Sequence, residues 1–142
     1  MRFMVIVKAN EESESGTLPA EADLAAMGRF NEELVKAGVM LADEGLHPSA
    51  KGVRIAFGAG NKRTVVDGPF AETKELVAGY WVLQTTTREE CVEWLKRAPF
   101  GAGAVVEIRQ LFEADDFGAE FTPELREQEE RQRAQMAAKQ QP

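Results

Sequence analysis

The sequence predicts an α+β fold, a ferredoxin-like sandwich carrying an inserted β-hairpin and followed by a polar C-terminal helix. Three observations lead there. Two short runs, Phe3 to Val7 and Val77 to Leu83, are apolar on both faces, as in strands covered from two sides. Each is followed by a segment whose apolar residues recur at helical spacing, and then by a further strand. Between these two strand-helix-strand halves lies a pair of strands joined by a glycine-rich loop. Two such halves folding on one sheet give the sandwich.

Phe3-Met4-Val5-Ile6-Val7 opens the chain as a central strand, and Asn10 to Gly16 reads as a polar loop. A helix follows, with Thr17 or Leu18 near its cap and Pro19 in its first turn, where a missing N–H leaves no bond unmade. Leu24, Met27, Phe30 and Leu34 form its apolar face, with Arg29 on the solvated flank. Gly38 stands where the helix should stop. Val39 to Ala42 is a strand that runs into a turn, Asp43 to Pro48, rich in ionisable groups. Val53, Ile55 and Phe57 alternate with Arg54 and Ala56, the pattern of a half-buried strand; Gly58 to Lys62 turns, and Arg63 to Val66 returns. Gly58 and Gly60 do not make a phosphate loop, because no Gly-Lys-Ser/Thr ending and no helix follow them.

Gly79, inside the second apolar strand, marks a bulge or a close backbone approach. Tyr80 and Trp81 point to opposite faces, so one packs under a helix and the other is placed to line a cleft. Thr87 and Glu90 have capping-box spacing. The helix behind them packs Cys91, Trp94, Leu95 and Ala98, and Pro99 ends it. Ala104 to Phe112 is the last strand, with Glu107 and Arg109 sharing a face. These elements assign residues 1–112 to the α+β domain and 113–142 to a strap and exposed helix. In that tail Phe117 and Phe121 punctuate an acidic stretch and are expected to be buried as a strap. Thr122 and Pro123 then start a helix with almost no apolar face.

Bulk properties narrow the function. At 142 residues and 44% hydrophobic content the chain is one domain with enough material for a core. Its net charge of −7, from 24 acidic and 17 basic residues, argues against a nucleic-acid surface. Cys91 is the only cysteine, so no intrachain disulfide forms and a reducing cytoplasm fits. No run has the length of a signal core or a membrane span. One His and one Cys do not make a structural zinc site, and no dinucleotide, metal-helix or Ser-His-Asp signature is present, so neither metal nor cofactor is expected. With helices on one face of the sheet, the other face keeps apolar side chains from residues 3–7 and 77–83. A patch of that kind points to a second copy of the chain.

The chemistry-bearing stretch is Asp67-Gly68-Pro69-Phe70-Ala71-Glu72-Thr73-Lys74-Glu75. Gly68 tolerates a strained turn and Pro69 fixes its own φ. Asp67 is suited to an Asx-turn, and Phe70 is an apolar anchor in a polar loop. The stretch reads either as a well-made turn with solvated charges or as the rim of a binding cleft. Lys74 and Arg109 are candidates to hold an anionic group, or else ordinary surface ion pairs. His47, the sole histidine, is either a turn residue beside Pro48 or a general base near Glu44 and Asp67. If both ionisable turns, 44–47 and 67–75, converge, then Asp67 holds the turn, Phe70 walls the cleft, and His47, Glu72 and Lys74 supply polar contacts. Trp81 and Arg109 are further candidates for the ligand.

Asp67 to Phe70 followed by Glu72 to Glu75 resembles the signature of the DGPF proteins, a branch of the YCII-related family. The likeness extends to Phe3–Val7, to Gly38-Val39 running on to Glu44-Gly45-Leu46, and to Val106-Glu107-Ile108-Arg109, about residues 1–112. It implies a ferredoxin-like fold that dimerises into an α+β barrel. Within the wider family a His on the first helix paired with an Asp has been suggested as an active site. The matching place here falls near Met27, which cannot transfer protons, so that pair is not carried over. Two functions are expected. The first is binding of a small organic molecule in a cleft between sheet and helices, with scope for cofactor-free acid/base chemistry. The second, implied only by the association of DGPF proteins with alternative sigma factors of the extracytoplasmic-function type, is a non-enzymatic interaction or regulatory role in transcription control.

Overall fold

A computed structural model of the chain describes residues 1–71 and 73–140, in two compact units, Met1–Gln110 and Leu111–Pro142. The first unit contains β1 (Arg2–Lys8), α1 (Glu11–Glu14), α2 (Glu21–Lys36), β2 (Met40–Gly45), β3 (Val53–Phe57), β4 (Arg63–Asp67), β5 (Val77–Gln84), α3 (Arg88–Lys96) and β6 (Val106–Gln110). Short 3-10 turns cover Ser49–Lys51 and Thr73–Glu75. Four strands form one antiparallel sheet in the order β2-β5-β1-β6. That is the ferredoxin-like arrangement, with the two doubly apolar strands at its centre.

Strand register explains the core. Phe3 pairs with Leu83 and Val5 with Trp81, so all four lie on one face of the sheet. There they meet Phe30 and Leu34 from α2 and Cys91 and Leu95 from α3. The rings of Phe30 and Phe100 both stand edge-on to Trp81 at 6.0 Å. Each large apolar side chain buried this way contributes about 1.5–3 kcal/mol relative to exposure. The other face carries Met4, Ile6, Tyr80 and Val82, also in register. Lys8 and Arg109 flank it, 3.6 and 3.3 Å from the carboxylate of Glu107.

Several boundaries depart from the sequence expectation. Residues 11–14 are a helical turn rather than loop, because Asn10 and Ser13 cap each other: the Asn10 side chain accepts from Ser13 N–H at 2.8 Å, and Ser13 Oγ accepts from Asn10 N–H at 3.0 Å. That turn captures the Thr17 N–H on the Glu12 carbonyl, and α2 begins only at Glu21, leaving Pro19 ahead of it. Leu24 is 59% exposed; the helix reaches the core only from Met27 onward. Its end is as expected: Gly38 adopts φ +71°, and Val39 N–H reaches back to Leu34 O at 2.9 Å, closing a Schellman motif.

β2 runs three residues further than the apolar pattern, since Asp43 and Glu44 pair with Trp81 and Tyr80 of β5. At Gly79 both expected features occur. The ladder between β1 and β5 shifts from Val7↔Gly79 to Lys8↔Val77, and a Cβ on Gly79 would stand 2.8 Å from Glu44 O. β3 and β4 pair only with each other, and every residue of both is exposed, Phe57 to 73%. Their half-burial is not met, because alternation fixes which side chains share a face and not what covers them.

In the second unit Thr122 Oγ1 accepts from Leu125 N–H at 3.3 Å and caps α4 (Pro123–Lys139), none of whose residues is buried. Phe117 stacks between Phe112 and Phe121, at 4.9 and 5.3 Å between ring centroids. Phe117 remains 50% exposed while Phe121 is half-buried, so the burial expected of the pair is not met at Phe117, where aromatic contact within the segment takes its place. Arg126 ties the segment to α4 through Asp115 at 3.0 Å. No helix among the described residues is long and apolar enough to cross a membrane.

Candidate functional site

The Asp67–Glu75 turn is built against the residues that follow β2. Gly68 N–H donates to Gly52 O at 2.9 Å, and a Cβ on Gly68 would fall 1.8 Å from Ser49 O. Only glycine permits that approach. The Gly68-Pro69 peptide is cis. Phe70 N–H donates to Ser49 Oγ at 3.1 Å. Ser49 in turn donates its hydroxyl and, at 2.9 Å, its N–H to the two oxygens of Glu14. Ser49 therefore joins α1, the turn after β2 and the Gly68–Phe70 turn. The Ser49 hydroxyl and then its N–H hold the Glu14 carboxyl below the usual carboxylate range, with burial opposing.

These turns border an open hollow of about 490 Å³ at the end of the sheet. Leu46, Pro48, Phe70, Leu76 and Val77 form apolar walls. Glu14, His47, Ser49, Lys51, Arg54 and Glu75 supply polar groups. The Arg54 guanidinium lies 3.8 Å above the centre of the Phe70 ring. A larger hollow, about 640 Å³, runs along α4, but a single exposed helix lines it and encloses nothing. Between sheet and helices, aromatic packing around Trp81 fills the core, and a hollow of about 390 Å³ lies between α3 and Ile108 of β6; the hollow on which the two turns meet lies instead at the sheet's end.

His47 and Phe70, drawn from the two turns, meet on this cavity. Lys74 is exposed in the 3-10 turn and is not part of the lining. Asp67 is exposed at the end of β4, opposite Val53, and its carboxylate makes no hydrogen bond among the described residues. The turn-holding part expected of Asp67 is taken by Ser49, whose hydroxyl accepts from Phe70 N–H. Glu72 lies outside the described residues. Trp81 belongs to the core at 3% exposure, its Nε1–H donating to Asn31 Oδ1 at 3.0 Å. Arg109 stays on the sheet face opposite the helices, beside Glu107. Glu14, Ser49 and Arg54 were not singled out from the sequence. Arg54 carried a signal, as a polar position in an alternating strand; Ser49 and Glu14 meet only through the fold.

Two further groups are shifted. Asn31 Nδ2 donates to Asp43 Oδ2 at 2.9 Å. Burial, and next Glu44, raise the Asp43 carboxyl above its usual range while Asn31 opposes. Burial, with Glu90 adding, pushes the Cys91 thiol up to about 11, so it stays protonated and packs as the apolar pattern implied. No group of His, Cys, Asp and Glu suited to a metal ion occurs among the described residues.

A four-stranded ferredoxin-like sheet, two helices on one face and a hairpin insert bordering an end cavity define an α+β domain of the ferredoxin-like class. The chain belongs to the YCII-related domain family, whose match spans residues 1–115. No curated protein matches it. Among solved structures it is similar to 5-chloro-2-hydroxyhydroquinone dehydrochlorinase from Burkholderia phenoliruptrix AC1100, solved in complex with 2,5-dihydroxybenzoquinone. That likeness has 14% identity and a TM-score of 0.40, and covers 81% of this chain and 98% of the other.

Proposed function

We propose that the chain binds a small organic molecule in the end cavity and does so as a homodimer joined through the open sheet face. The observation that supports binding best is the meeting of the His47 turn and the Phe70 turn on one cavity of about 490 Å³. Small-molecule sites commonly have about 300–1,000 Å³, mostly apolar walls and a few convergent polar groups. Met4, Ile6, Tyr80 and Val82, opposite the helices, form the surface for the second copy. If a reaction follows binding, it is cofactor-free proton transfer with His47 as the acid/base group at the cavity.

A thermal-shift screen against small organic acids and aromatic metabolites tests the binding. A ligand that binds only the folded chain raises its melting temperature. His47→Gln is expected to leave the unliganded melting temperature unchanged, because His47 is exposed, and to abolish the ligand-induced shift. A panel-wide absence of shifts with the wild-type protein counts against the reading.

A further inference from the structure

We propose that the end cavity selects an anionic ligand, a small, largely apolar molecule bearing a carboxylate, and that Arg54 is the residue that recognises it. This rests on the reading of the cavity as a binding site. Arg54 leaves β3 opposite Val66, and its guanidinium lies 3.8 Å over the Phe70 ring. Phe70 is itself pinned by the bond from its N–H to Ser49 Oγ. The cation–π contact holds the guanidinium over the ring and leaves its N–H donors available to a ligand.

Among the described residues Arg54 makes no ion pair and no side-chain hydrogen bond. Arg88, Arg97, Arg109, Arg126 and Arg133 each face a carboxylate; Arg63, also without an ion pair among the described residues, sits over Phe57 but spends its donors on the Gly60 and Lys62 carbonyls. Of the two acids in the lining, Glu14 has both oxygens occupied by Ser49, and Glu75 makes no ion pair with Arg54 among the described residues. A planar fork held over a ring, with its donors unspent on the wall of a hollow, is placed to take a bidentate carboxylate. Lys51 and His47 line the same space and add donors, while Leu46 and Leu76 face the apolar body of the ligand. Lys51 and Arg54 are balanced in formal charge by Glu14 and Glu75, and the chain as a whole carries −7. Selection therefore comes from oriented donors at short range, not from a positive field.

The test is titration of the full chain, followed by NMR, with a panel of small aromatic and aliphatic carboxylates and their neutral amides, benzoate and benzamide among them. The expected result is perturbation of His47 and Phe70 resonances by carboxylates, with each matched amide at least about tenfold weaker. Arg54→Met keeps an apolar stem on Phe70 and is expected to weaken carboxylate binding by about tenfold or more while leaving amide binding as it was. Arg54→Lys, which restores charge without the fork, is expected to recover only part of the loss. Amides that bind the wild-type protein as well as carboxylates overturn the anion proposal and leave the cavity reading standing, as does an Arg54→Met variant that binds carboxylates normally. Silence of the cavity resonances to the whole panel overturns both. The carboxylate-to-amide comparison on the wild-type chain needs no variant to fold.

Discussion

At the residue scale the site depends on contacts one atom wide. Ser49 Oγ accepts from Phe70 N–H and donates to Glu14; Ser49→Ala leaves both groups without that partner. The expected loss of stability is about 1–3 kcal/mol. Asp67→Ala, at an exposed carboxylate with no hydrogen bond among the described residues, should stay within about 0.5 kcal/mol of wild type. Chemical denaturation of the two variants checks the contrast, and equal losses would return the turn-holding role to Asp67. The same bonds set a pH dependence. Glu14 titrates lower in the folded chain than in the unfolded one. Its stabilising contribution is therefore complete above the ordinary glutamate range and disappears as pH falls through the depressed folded value. Ser49→Ala should shrink that acid-side loss in a melting-temperature profile, leaving only the share from the Ser49 N–H. Gly68→Ala would set a Cβ 1.8 Å from Ser49 O, a backbone atom that cannot swing aside. We expect a loss of about 3 kcal/mol or more, at or beyond the upper end of overpacking costs, together with loss of any ligand shift.

At the element scale, α2 and β2 are coupled across the edge of the sheet. Trp81 Nε1–H, deep under α2, is satisfied only by Asn31 among the described residues, and Asn31 also donates to Asp43. Asn31→Ala is expected to cost about 1–3 kcal/mol by leaving a buried indole donor unpaired. It should also raise the Asp43 titration further, because the bond it removes is the one that lowers it. Carboxyl NMR titration follows the second effect and separates it from loss of packing. An unmoved Asp43 titration would mean that the Asn31 bond does not persist in solution. Element boundaries were less legible than element types. The 3.6-residue period of Met27, Phe30 and Leu34 named a helix and its buried face, yet its start was displaced by the Asn10–Ser13 cap, a purely local competition between polar groups. β2 outran its apolar pattern because strand length is set by pairing with β5, and pairing partners are distant in sequence.

At the scale of the whole molecule, the proposed dimer rests on the sheet face opposite the helices, whose side chains are half-buried. Met4, Ile6, Tyr80 and Val82 lie across the sheet from the core they help to frame. Light scattering at micromolar concentration should report twice the mass of 15.7 kDa. A stable monomer would remove the barrel. A charge introduced at the centre of that face, Ile6→Glu, should shift the distribution toward monomer, because an unpaired charge is costly to bury at an interface.

The sequence by itself determined the class of fold, the two central strands, the glycine stop at Gly38, the close approach at Gly79 and the family signature around Gly68. Each of these follows from short-range stereochemistry or from a periodicity that one segment carries alone. Tertiary structure decided what those segments touch. It sent Trp81 to the core instead of the ligand, left β3 and β4 exposed, and moved the cavity to the end of the sheet. It also gave the turn to Ser49 and Glu14, which are 35 residues apart. Contacts at such separation depend on how the sheet brings its ends together, and no local pattern encodes that.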